Sequence, residues 1–110
     1  AKNYSPGLDG TGKTAAFGIP IIESIQRKSD GPQALVLVPT RELALQVKNE
    51  ISSIGKYKDL TPIAVYGGQS LKSQITTLRQ GVDIIIATPG RLMDHIQRGT
   101  IKLNKIRIAV

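Results

Sequence analysis

Residues 7–14 read Gly7-Leu8-Asp9-Gly10-Thr11-Gly12-Lys13-Thr14, which fits the spacing G-x-x-x-x-G-K-[ST]. These residue types in this order suit polyphosphate binding. Backbone N–H groups around Gly10 and Gly12 can wrap an anion, because glycine permits close approach and positive φ. Lys13 brings a cation to the outer phosphates and Thr14 a hydroxyl for Mg²⁺. A helix starting here points its positive end at the ligand. The pattern indicates a nucleoside triphosphate but not the reaction. Asp9 is discordant, since a carboxylate within a few ångströms of a phosphate opposes binding by roughly 1 kcal/mol or more at intermediate dielectric.

Three more segments could recognise an anion: Pro39-Thr40-Arg41-Glu42-Leu43, Gly67-Gly68-Gln69 and Thr88-Pro89-Gly90-Arg91. Each follows an apolar run and opens a helical pattern. Each therefore offers free backbone N–H groups, and two add an arginine. Hydroxyls, N–H groups and arginine are the tools of phosphodiester recognition, and such contacts carry no base information. Taken singly, these residues read as turn and capping residues, with Thr40 and Thr88 as N-caps. Three such turns on one edge of a sheet favour a track for a nucleic-acid backbone. The net charge of +7, from 15 basic and 8 acidic residues, suits a polyanionic partner.

The elements that must place these turns follow from the hydrophobic pattern. Ala34–Val38, Pro62–Tyr66, Asp83–Ala87 and Ile106–Val110 are apolar runs, and runs of this kind predict parallel strands covered on both faces. Arg107 interrupts the last. Leu43, Val47, Ile51 and Ile54 form a helical stripe that Gly55 can stop. Leu71, Ile75 and Leu78 form a shorter one after Ser70, a good N-cap. Thr88-Pro89 starts a helix with proline at its first position, which carries Leu92, Met93 and Ile96 and ends at Gly99. A first helix is expected near Gly12, with Phe17, Ile21, Ile22 and Ile25, kinked at Pro20. The order predicts an α/β fold: a three-layer parallel sheet with helices on both faces. Ligands of such sheets bind beyond the carboxyl ends of the strands.

With 110 residues the chain is one small domain at most, and 40% hydrophobic content supports a packed core. No stretch is long enough to span a membrane. Zero cysteines excludes disulfides and thiolate metal sites, and fits a reducing, cytoplasmic setting. No signal peptide is read, and a start at Ala1 suggests a processed or trimmed product, or a fragment. The aromatic residues are too scattered for a base-stacking platform, and Phe17 and Tyr66 are expected in the core. His95, in the last helix, is expected at the surface. Arg98, Lys102, Lys105 and Arg107 read as a solvated face.

The motifs together resemble the first RecA-like domain of a DEAD-box ATP-dependent RNA helicase. Gly10–Phe17 resembles that family's motif I, and Pro39–Val47 resembles motif Ia almost letter for letter. Gly67-Gly68 matches its glycine doublet and Thr88–Asp94 its motif Ib. The resemblance covers nearly the whole chain. It implies that Gly10, Thr11, Gly12, Lys13 and Thr14 bind ATP. Lys13 and Thr14 would be catalytic, and Thr14 would hold Mg²⁺. Pro39, Thr40, Arg41, Glu42, Gly67, Gly68, Gln69, Thr88, Pro89, Gly90 and Arg91 would grip one RNA strand by its sugar-phosphate backbone. A second RecA-like domain would close on this one to bend the strand and separate short duplexes.

Two departures stand out. The family's motif I begins Ala-x-Thr-Gly or a near variant. Here Ala1-Lys2-Asn3 would fit that start, with Tyr4–Asp9 as a six-residue insertion, or Gly7-Leu8-Asp9 is a divergent left half. The sequence also contains neither Asp-Glu-Ala-Asp, expected just past Val110, nor Ser-Ala-Thr. The expectation is a partial N-terminal RecA-like domain spanning 1–110, inactive alone, from an RNA-stimulated ATPase and helicase. The alternative is an RNA-binding or scaffold fragment without a working nucleotide site. A small-molecule P-loop kinase would leave the three turns unexplained.

Overall fold

The computed structural model describes residues 31–55, 60–106 and 108–110. Four strands and three helices alternate: β1 (Ala34–Leu37), α1 (Arg41–Gly55), β2 (Pro62–Val65), α2 (Leu71–Arg79), β3 (Ile84–Ala87), α3 (Pro89–Arg98) and β4 (Ile108–Ala109). The strands form one sheet in the order β2-β3-β1-β4. Every pairing is parallel, with Ala34 level with Ile84 and Ile108, and Pro62 level with Ile84. All the described strands therefore end at one edge of the sheet.

Alternation along each strand divides the core in two. Ala34, Val36, Val38, Ala64, Ile84 and Ile86 face α1, where Ala44, Val47 and Ile51 cover them. Leu35, Ile63, Val65, Ile85 and Ala87 face the other way, onto Leu92 of α3, with Leu78 of α2 and Ile96 packed alongside. One helix on one face and two on the other is the expected three-layer arrangement. It explains why β3, one of the two inner strands, is the uninterrupted run Ile84-Ile85-Ile86-Ala87, buried throughout.

Strand limits fall within the apolar runs, which overreach by a residue or two where the chain leaves the ladder. Val38 and Tyr66 lie outside the strands, and β4 is only two residues long. Leu37 is 48% exposed, so β1 is not covered on both faces to its end. Asp83 does not enter β3. Its main chain accepts from Gln33 and donates to Thr61, and its carboxylate accepts the Thr61 N–H at 2.8 Å. This residue ties three chain segments at the edge where the strands begin.

The described helix termini follow local chemistry. Thr40 Oγ1 accepts the Leu43 N–H at 3.1 Å, and Ser70 Oγ accepts that of Ser73 at 3.2 Å. Gly99 ends α3 at φ +74°, where its N–H reaches back to the last turn. The proposed first helix and its kink at Pro20 lie outside the described residues.

Candidate nucleic-acid interface

The parallel sheet brings the three turns to one edge, and the strand order sets their neighbours. The turn after β3 (Thr88–Arg91) lies between the turn after β2 (Gly67–Gln69) and the turn after β1 (Pro39–Glu42). Pro39, Thr40, Arg41, Glu42, Gly67, Gly68, Gln69, Pro89 and Gly90 are exposed, while Thr88 and Arg91 are half-buried. All eleven residues assigned to the track from sequence therefore share one edge. Arg41 reaches toward the glycine doublet: a Cβ on Gly68 would lie 4.0 Å from Arg41 Nη1. Its ion pair with Glu42, at 3.9 Å between exposed side chains, is weak.

Arg91 is held differently. Its Nη1 donates to the Gln69 carbonyl and to Gln74 Oε1, both at 3.0 Å. Both acceptors are neutral, and among the described residues no carboxylate pairs with Arg91. The guanidinium is fixed at one corner while its charge stays uncompensated. Gln74 is in turn almost fully buried, and its Nε2 donates to the Tyr66 carbonyl at 2.9 Å and to Gln69 Oε1 at 2.7 Å. Beneath it lies His95, fully buried, with Nε2 2.8 Å from Gln74 Oε1 and Nδ1 2.7 Å from Thr100 Oγ1.

The donors and acceptors fix the chemistry of this chain of contacts. Arg91 can only donate and the Tyr66 carbonyl can only accept, so the Gln74 amide has one orientation. Gln74 Oε1 is an acceptor, so His95 must carry its proton on Nε2. Burial holds the His95 pKa below its ordinary value. The Arg91 charge pushes the same way, Asp94 opposes it and Arg98 adds to it. The imidazole is therefore neutral at neutral pH, and the Thr100 hydroxyl, 2.7 Å from Nδ1 and 3.1 Å from the His95 carbonyl, shares its one proton between these two acceptors.

Three sequence-level expectations are corrected here. His95 is not a surface residue; it is a buried link under the turns. Met93 is 52% exposed, outside the stripe to which helical spacing assigned it, because α3 turns Leu92 and His95 inward instead. Thr88 holds the N-cap position of α3 but its hydroxyl makes no capping bond, unlike Thr40. The N–H groups of Gly90 and Arg91 thus have no acceptor within the helix. Gln74 was missed altogether. Its only sequence signal was position, three residues after Leu71 on the stripe that continues to Leu78.

The glycines add a further observation. Gly68 has φ +83° and needs to be glycine for its backbone. Gly67 and Gly90 do not: neither has positive φ, and a Cβ on either would meet nothing within 4 Å. A cleft of about 640 Å³ lies near the opposite edge of the sheet, by Gly31, Asp83, Thr100 and Lys105, and none of the three turns lines it. Volume is a poor guide here, because an extended strand needs a track rather than a cavity.

The DEAD/DEAH box helicase family model matches residues 8–110. The chain belongs to that family. Among similar proteins, it is 50% identical to the DEAD-box ATP-dependent RNA helicase CshA of Geobacillus kaustophilus, over 92% of this chain and 22% of that protein. It is 52% identical to CshA of Bacillus subtilis, over 92% of this chain and 20% of that protein. Among solved structures, it is similar to a DEAD box protein from the hyperthermophile Methanococcus jannaschii, with TM-score 0.84 and 43% identity over 93% of this chain and 28% of that one. The yeast DEAD-box splicing factor Prp28 gives 0.82 and 35%, over 93% and 26%. The chain thus spans about a fifth of the length of the curated relatives it matches. Its covered parallel sheet is part of the RecA-like architecture of the DEAD-box helicases. Gly10, Thr11, Gly12, Lys13 and Thr14, expected from sequence to resemble the family's motif I, and the question of Tyr4–Asp9, lie outside the described residues. Among the described residues no helix is long and apolar enough to cross a membrane.

Proposed function

We propose that this chain is part of the first RecA-like domain of an ATP-dependent RNA helicase, and that its strand-end edge holds one RNA strand by its backbone. The carrying observation is that edge. Three largely exposed turns stand side by side, with an arginine that has no carboxylate partner among the described residues and two glycines, Gly67 and Gly90, that the fold itself does not require. Small residues with no internal reason suit the close approach of an extended ligand. The relatives' printed names, as RNA helicases, support RNA as that ligand.

In this reading Arg41 and Arg91 meet phosphates. The free N–H groups of Gly90 and Arg91 donate to phosphate oxygens, and Pro39, Thr40, Glu42, Gly68, Gln69, Thr88 and Pro89 shape the path. None of these contacts reads a base, so binding is independent of sequence. Gly10–Thr14 would hold ATP, with Lys13 at the outer phosphates and Thr14 at Mg²⁺. Those groups supply phosphoryl-transfer chemistry when bound. A second RecA-like domain is the proposed partner that closes on this one.

Single-stranded RNA binding to the full chain, measured against salt, tests the track. Arg41→Ala and Arg91→Ala are each expected to weaken binding equally for all sequences, and to flatten the salt slope by about 0.7. Loss that depends on RNA sequence, or none at all, overturns the assignment.

A further inference from the structure

We infer that Gln74 and His95 are positioning residues for RNA: together they hold Arg91 so that its charge is presented at the strand-end edge. This rests on the RNA reading above. The two residues lie on different helices, behind the exposed turns, and are themselves 2% and 0% exposed. Neither can touch a ligand at the edge. Their bonds run outward in one line, from Thr100 through His95 and Gln74 to Arg91 and Gln69.

The geometry does more than fill space. One amide joins the turn after β2 to the turn after β3, bonding the Tyr66 carbonyl and the Gln69 side chain on one side and Arg91 on the other. A buried carboxylate at position 74 would also fix Arg91, but it would neutralise the charge. An apolar residue would leave the His95 N–H without its acceptor and Arg91 with the Gln69 carbonyl alone. A neutral amide anchors the guanidinium at one nitrogen and leaves its charge and remaining N–H groups for phosphate. His95 keeps the amide in place by donating to the same oxygen, which it does as a neutral ring with its proton on Nε2.

The test is a double-mutant cycle in the full chain, with a labelled unstructured RNA oligonucleotide as probe and folding checked by circular dichroism. Arg91→Ala is expected to lower affinity about tenfold or more. Gln74→Met should flatten the salt slope to the value that Arg91→Ala gives, although Arg91 is still present. The double variant should bind no more weakly than Arg91→Ala, because both changes remove one contact. Gln74→Glu provides a second route if Gln74→Met does not fold. Its carboxylate retains acceptors for Arg91 and His95, so the His95 pKa, read by NMR, should rise while the salt slope still flattens. A folded Gln74 variant with an unchanged slope, or additive losses in the double variant, overturns the positioning role. If Arg91→Ala itself leaves RNA binding unaltered, the RNA reading fails first, and the two failures are distinct.

Discussion

His95 shows how a single residue reverses its meaning between sequence and structure. On a basic, polar helix a lone histidine reads as solvated. In the fold it is enclosed, and both ring nitrogens are engaged. The pH dependence follows from the direction of its pKa. The folded protein binds a proton at His95 less readily than the unfolded chain does, so acid favours unfolding. The contribution is fully present above the unfolded-state value of about 6.5 and is lost as pH falls from there toward the lower folded-state pKa. Denaturant midpoints measured between neutral and mildly acid pH should fall, and His95→Gln should flatten that stretch of the curve. An unchanged profile in the variant would assign the loss to other groups.

At the scale of elements, α3 carries two glycines with opposite requirements. Gly99 ends the helix in the left-handed region, and a Cβ there meets no neighbour. Gly99→Ala should therefore cost about 1–2 kcal/mol, all of it from the backbone. Gly90 sits in the first turn without positive φ. Gly90→Ala should leave thermal stability unchanged or raise it, by up to about 1 kcal/mol, while RNA affinity falls. Thermal unfolding and RNA titration of the two variants separate the roles. Equal destabilisation would make Gly90 a plain structural residue.

For the molecule as a whole, the described residues supply the proposed RNA track, while the proposed ATP loop lies in a different part of the sequence. The Asp-Glu-Ala-Asp and Ser-Ala-Thr sequences that complete such a site are absent from these 110 residues. Phosphoryl transfer depends on positioning by groups of that kind. The 110-residue chain alone should show no RNA-stimulated ATP turnover in a steady-state assay. Turnover that Lys13→Ala abolishes would contradict this. Binding of a fluorescent ATP analogue would separate an inactive helicase segment from a scaffold without a nucleotide site.

The sequence by itself determined the layer order, the covered strands and the three turns, because these depend on local periodicity and turn chemistry. Apolar runs such as Ile84–Ala87 have few alternatives to a buried strand, and Thr40 and Ser70 cap helices with atoms close in the chain. Motif spacing was enough to suggest the family. Only the tertiary structure decided which turn stands beside which, that Thr88 leaves its helix uncapped, and that Gln74 and His95 are buried. Those facts depend on contacts spanning about twenty residues, such as Gln74 with Arg91 and with His95. A polar side chain can be buried only where partners from other elements satisfy it, and no local pattern records where those partners lie.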